Sequence, residues 1–172
     1  MALKLTEKKV IVNEVSGVAS KAISVVAAEY RGMTVSQLTL MRKAARESNV
    51  YLKVVKNTLA SKAVEGTNFD CIRAKMVGPL ILAFALDEPG ASARLIADFV
   101  KISDKLVPKV IAVGGNAYDG SELDRLAKLP NRDQALAMLM GTMKAPIEKL
   151  VRTLAEPHAK LVRTIAAIKD TK

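Results

Sequence analysis

The sequence predicts an α/β protein, in which an N-terminal domain with a mixed, partly parallel sheet flanked by helices is followed by a long kinked C-terminal helix. Three observations predict it. Short β-branched runs alternate with helix-period segments through residue 130. Beyond residue 130 the strand signals stop and one eleven-residue unit recurs. Hydrophobic residues make up 50% of the 172, enough for a substantial core. The boundaries that follow are a domain over 1–130 and a helical tail over 131–172.

The elements come in order. "TEKKVIVNEVSGVASKA" (6–22) reads as an amphipathic helix, and "ISVVAAEY" (23–30) as a buried strand. Next comes a helix in "TVSQLTLMRKAARESN", where Thr34 and Gln37 have the spacing of a capping box. Its apolar Val35, Leu38 and Met41 recur three apart, and Arg42, Lys43 and Arg46 charge its other face. "VYLKVV" (50–55) is a short strand, followed by a helix over 57–65 capped by Asn57 or Thr58. "MVGPLILAFAL" (76–86) is a strand whose Gly78-Pro79 start suits an edge or a bulge. A helix over 90–103, a strand over 109–115 and a short helix from Ser121 to Leu129 complete the domain, with "VGGNAYDG" (113–120) read as a turn. Pro130 and Asn131 stop one element and start the next.

Composition narrows the chemistry. Aromatic residues are 3% and Trp is absent, so bases have few rings to stack on. The single cysteine, Cys71, forms no internal disulfide and reads as a small core residue; the single histidine, His158, has no companion in a metal-ligand spacing. No P-loop, Gly-x-Gly-x-x-Gly or Gly-x-Ser-x-Gly pattern occurs. The expectation is a non-enzyme with no cofactor, no metal and no catalytic residue. The opening residues carry charges throughout, and the longest apolar run is too short to span a bilayer, so a soluble cytoplasmic protein with no membrane partner is expected.

Charge divides unevenly along the chain. Residues 1–62 hold 11 Lys/Arg against 4 Asp/Glu, residues 63–130 hold 8 against 9, and residues 131–172 hold 8 against 4. A basic N-terminal half followed by a neutral middle points to a polyanion partner there, although a charge run is also what an ordinary solvated face carries. Two strand-to-helix junctions share one pattern, "EYRGMT" at 29–34 and "VVKNTL" at 54–59: a basic residue, a Gly or Asn, then a Thr. If the two strands are parallel neighbours, a crossover brings both junctions to one sheet end, where helix N-termini favour phosphate. Arg31 and Lys56 then stand together, with Lys53 on the second strand. Many cations and few aromatics point to folded RNA read through phosphates and 2′-hydroxyls. The alternative is plain turn chemistry with solvated Lys and Arg.

The tail repeats itself. Residues 138–148, 149–159 and 160–170 align with Leu139, Leu150 and Leu161 in register, then Met140, Val151 and Val162, then Thr142, Thr153 and Thr164, then Met143, Leu154 and Ile165. Eleven residues make about three helical turns, so each copy presents the same face. The stripe runs Leu139, Met143, Ile147, Leu150, Leu154, His158, Leu161, Ile165 and Ile168, with Val151 and Val162 beside it. Pro146 and Pro157 each delete one backbone hydrogen bond, and kinks are expected there. Forty residues of helix extend about 60 Å, against a width of roughly 36 Å for a 130-residue domain, so part of the stripe overhangs. An overhanging apolar stripe is a partner site, and repeated units imply repeated copies of one partner. The bordering Lys144, Lys149, Arg152, Lys160 and Arg163 suggest that the partner is acidic. A homomeric coiled coil or a membrane surface would also cover the stripe, but neither needs regularly placed prolines.

These stretches also carry a resemblance. "EYRGMTVSQLTLMRKAAR", "LKVVKNTLA", "GPLILAF" and "KLVRTLAEPHAKLVRTIAAI", in this order, resemble the bacterial large-subunit ribosomal protein at the base of the stalk, the L-ten family, over essentially the whole chain. The resemblance implies binding to large-subunit ribosomal RNA near the GTPase-associated centre, beside a neighbouring stalk-base protein. It implies a C-terminal helix carrying dimers of the acidic stalk protein, which recruit GTP-bound translation factors, and repression of the protein's own messenger. Arg31, Gly32, Lys53, Lys56, Asn57 and Thr58 match the RNA-contacting motifs; Lys8, Lys9, Arg42, Lys43 and Arg46 are added from charge and helix phase. Members carry two or three dimers. Three aligned units favour three here, although Gly141 replaces Arg in the first and leaves it free to pack on the domain.

Overall fold

The computed structural model describes residues 4–103 and 105–170, so Met1–Leu3, Asp104 and the last two positions of the tail domain, Thr171 and Lys172, lie outside the described residues. The chain runs α1 (Leu5–Ala19), β1 (Ser24–Glu29), α2 (Val35–Glu47), β2 (Val50–Val54), α3 (Asn57–Val64), a 3-10 turn (Asp70–Lys75), β3 (Leu80–Ala85), α4 (Ala91–Ile102), β4 (Val107–Val113), β5 (Asn116–Asp119), a 3-10 turn (Gly120–Glu122), α5 (Leu123–Ala127) and α6 (Arg132–Asp170). It divides into two compact units between Asn131 and Arg132.

The five strands form one sheet in the order β2-β3-β1-β4-β5, and every neighbouring pair is antiparallel. The expected partly parallel sheet is therefore corrected. β1 and β2 do point the same way, because both are antiparallel to β3, but β3 lies between them. Alternating strands and helices look the same in sequence whether a crossover lands on the adjacent position or skips one for a later strand to fill; here it skips, in the manner of a split βαβ unit.

Helices cover both faces of the sheet, which explains the continuous apolar strands. Along β1, Val26 and Ala28 pack under α2 and α4 with Met41, Ile96 and Phe99, while Val25 and Ala27 pack under α1 and α3 with Val15, Ala60 and Val64. Successive side chains point to opposite faces, so a strand buried on both sides loses its alternation, and β3 is buried along its whole length. β3 is central rather than an edge: Pro79 sits just before it, where a missing N–H costs no ladder bond, and its carbonyl accepts from Tyr30 N at 3.4 Å.

Other local expectations divide. The α2 capping box forms, Gln37 N donating to Thr34 Oγ1 and Thr34 N to Gln37 Oε1. α3 instead takes Lys56 as its cap residue with no side-chain cap bond; Asn57 is the first helical residue, and its amide donates to Met76 O and Gly78 O, at 3.2 and 2.9 Å. The "VGGNAYDG" turn holds a hairpin: Gly114 and Gly115 both take positive φ, and Asn116–Asp119 returns as edge strand β5. Cys71 is exposed rather than in the core, since the 3-10 turn directs its neighbour Ile72 inward.

Candidate nucleic-acid interface and candidate partner helix

The antiparallel order gathers four chain segments at one end of the sheet. β1 and β2 finish there and β3 and β4 begin there, with Glu29 opposite both Leu80 and Val107, and Val54 opposite Ile81. The two basic junctions thus share an end although their strands are not neighbours. Between them lies a shallow cleft of about 530 Å³, lined by Tyr30, Val54, Lys56, Asn57, Thr58 and the Gly78-Pro79 turn among others. The Asn57 amide bonds lock that turn to the start of α3, whose first residues Asn57 and Thr58 line the cleft.

Arg31, Gly32, Lys56 and Thr58 are exposed, and Asn57 is half-buried. Gly32 adopts φ +87°, which an L side chain rarely takes. Lys8 and Lys9 are exposed near the start of α1. Arg42, Lys43 and Arg46 are exposed along α2, which starts at the sheet end and leads away, placing Arg42 about 10 Å and Arg46 about 16 Å along the axis from Val35. The cations of α2 and those of α1 therefore lie on opposite faces of the sheet, not in a single cluster.

Lys53 stands apart. It lies on the face of β2 turned toward α1, 2.5 Å from Glu14, whose carboxylate also accepts from the Tyr51 hydroxyl. The hydrogen bonds from Lys53 and then Tyr51 hold the Glu14 carboxyl below its usual range. Burial pulls Lys53 downward, but its bonds to Glu14 and Tyr51 outweigh that and leave it raised. Burial, then the bond to Glu14, raises the Tyr51 hydroxyl. Sequence reading also missed Lys105, whose side chain crosses the backbone of Gly32: a Cβ on that glycine would sit 3.3 Å from Lys105 Cδ. Nothing in "DKLVPK" marks it; only the β1–β4 pairing brings it there.

The second unit is one helix, α6, assigned as continuous through Pro146 and Pro157. All of its proposed contact residues are large apolar side chains left exposed. Leu139 is 57% exposed, Met143 72%, Ile147 66%, Leu150 63%, Val151 61% and Leu154 70%. Leu161, Val162, Ile165 and Ile168 range from 59% to 64%. The three units are also locally equivalent. Thr142, Thr153 and Thr164 each donate a hydroxyl hydrogen bond to the carbonyl three residues earlier, on Leu139, Leu150 and Leu161, every time at 2.8 Å. The ion pair Lys144–Glu148 belongs to the first unit, whose partners align with Ala155 and Ala159 in the second.

A small α/β body with a basic sheet end and a separate helical unit with an exposed apolar repeat thus carry two surfaces of different chemistry. Comparison with known proteins narrows this. Residues 3–101 match the family model for ribosomal protein L10, and residues 129–156 match that for the ribosomal protein uL10 C-terminal region. Proteins named large ribosomal subunit protein uL10 are 67% identical in Methylococcus capsulatus, 57% in Thioalkalivibrio sulfidiphilus and 53% in Legionella pneumophila. Each comparison covers all of this chain and 97–98% of the relative. The chain belongs to the ribosomal protein L10 family.

Proposed function

We propose that this protein is a structural component of the large ribosomal subunit that anchors the stalk. In this reading residues 1–130 bind ribosomal RNA, next to a neighbouring stalk-base protein, and residues 131–172 carry dimers of the acidic stalk protein. RNA phosphates contact Arg31, Gly32, Lys56, Asn57 and Thr58 at the sheet end, with Arg42, Lys43 and Arg46 on α2 and Lys8 and Lys9 on α1 contributing from the two faces. The chain performs no chemistry of its own. It tethers several copies of a recruiter and so raises their local concentration for GTP-bound translation factors. Complexed with its dimers, it also represses translation of its own messenger.

The observation that carries the reading is the repeated local geometry of α6, three units with one hydroxyl-to-carbonyl bond each and an exposed apolar stripe. Burying a Leu-sized side chain contributes about 1.5–3 kcal/mol, so each unit offers several kcal/mol to a groove that fits it. The flanking Lys149, Arg152, Lys160 and Arg163 favour an acidic partner. Three dimers are preferred to two.

Native mass spectrometry of the protein co-expressed with the acidic stalk protein tests this, beside a chain ending at Lys149. Six partner copies falling to two assign one dimer per unit. Four falling to none confine docking to the units at 149–159 and 160–170. No partner on either chain defeats the stalk reading.

A further inference from the structure

The cations at the sheet end are not equivalent. Lys53 is held by Glu14, Lys109 pairs with Glu29 at 3.2 Å, and Lys75 pairs with Asp119. Arg31, Lys56 and Lys105 have no ion-pair partner among the described residues. Arg31 and Lys105 each lie two residues beyond the last paired position, Glu29 opposite Val107, where β1 ends and β4 begins. The stem of Lys105 crosses Gly32, with a Cβ there 3.3 Å from its Cδ, and the nearby carboxylate of Glu29 is occupied by Lys109. A phosphate at this corner takes a charge-assisted bond from an ammonium that no carboxylate among the described residues already holds.

We infer that Lys105 is a direct contact to RNA phosphate at the β1–β4 corner, and that Lys53 is a strut tying β2 to α1 rather than an RNA ligand. This rests on the reading of the sheet end as an RNA anchor. Gly32 then has two roles, since it supplies the positive φ of the turn and leaves the space that the Lys105 stem fills. The Lys53 strut holds the edge strand whose end presents Lys56.

The test uses the full chain and purified bacterial large-subunit ribosomal RNA, with affinity measured from low to high salt. Variants are Lys105→Gln, Lys105→Arg, Lys53→Gln, Arg31→Gln and Lys56→Gln, each also melted without RNA. Each lost phosphate contact lowers the slope of log affinity against log salt by about 0.7–0.9, roughly a five- to tenfold loss of affinity at 0.1 M salt. Lys105→Gln is expected to show that drop and Lys105→Arg to restore the slope. Lys53→Gln is expected to keep the slope and lower the melting midpoint. An unchanged slope for Lys105→Gln, with Arg31→Gln and Lys56→Gln both reduced, overturns the assignment and leaves the anchor standing. Unchanged slopes throughout defeat the anchor reading and the inference with it. A reduced slope for Lys53→Gln at an unchanged midpoint overturns the strut.

Discussion

Replacing Leu154 with alanine isolates one unit of the helical repeat. Leu154 is 70% exposed in the free chain, so its truncation removes almost no contact from the protein itself. Leucine and alanine are both strong helix formers, and α6 stays helical. The cost appears only where a partner covers the side chain. Three carbons are lost, each worth about 0.8 kcal/mol on burial; scaled to the 70% still available to bury, the loss is about 1.7 kcal/mol, or roughly 15- to 20-fold in affinity. Because Met143 and Ile165 hold the equivalent place in the other units, only one class of site should weaken. Isothermal titration with the acidic stalk protein should therefore resolve one weak class beside sites of unchanged affinity, while circular dichroism and thermal melting of the free protein stay as they were. An unchanged isotherm, or equal weakening at every site, would refute the docking of one dimer per unit.

Three further outcomes follow from the α/β body. Gly120→Ala places a Cβ 2.0 Å from Pro108 O and 2.6 Å from Pro108 C, backbone atoms that cannot swing aside, so urea unfolding should show a loss of about 1–3 kcal/mol; an unchanged midpoint would contradict the close approach of β4 to the turn before α5. Phe84→Ala empties a fully buried position on a central strand and should cost about 3–5 kcal/mol in the same assay. The Glu14–Lys53 pair gives a signed pH dependence. The lowered Glu14 contributes stability above its ordinary 4.5 that is lost as pH falls through its folded value, and the raised Lys53 contributes stability below its ordinary 10.5 that is lost as pH rises through its own. Comparing melts of wild type and Lys53→Gln across pH should give a difference of about 0.2–1 kcal/mol near neutrality that fades on the acid side; a difference that grows in acid would contradict the pairing.

Much of the local structure was legible because its causes are local. The α2 capping box needs only Thr34 and Gln37 at the right spacing, and the tail repeat needs only an eleven-residue period that returns to the same helix face. The turn at Gly114-Gly115 was legible too, but the return strand β5 over Asn116–Asp119 was not, because it is a short edge strand whose only partner is β4. Asn57 was readable as a cap by propensity alone. In the fold it lies one residue inside the helix and its amide donates to the turn at Gly78, twenty-one residues away, which no local pattern records.

The sequence by itself determined the alternation of elements, the buried character of β1, the separate helical tail and the two basic junctions, because periodicity and residue type act over a few neighbours. Only the tertiary structure decided that β3 lies between β1 and β2, that Lys53 faces Glu14, and that Lys105 crosses Gly32. Strand order depends on which distant surfaces bury each other best, and a cation's availability depends on whether the fold sets a carboxylate beside it. Both are properties of pairs far apart in the chain, and the residues carry no mark of them until the sheet has formed.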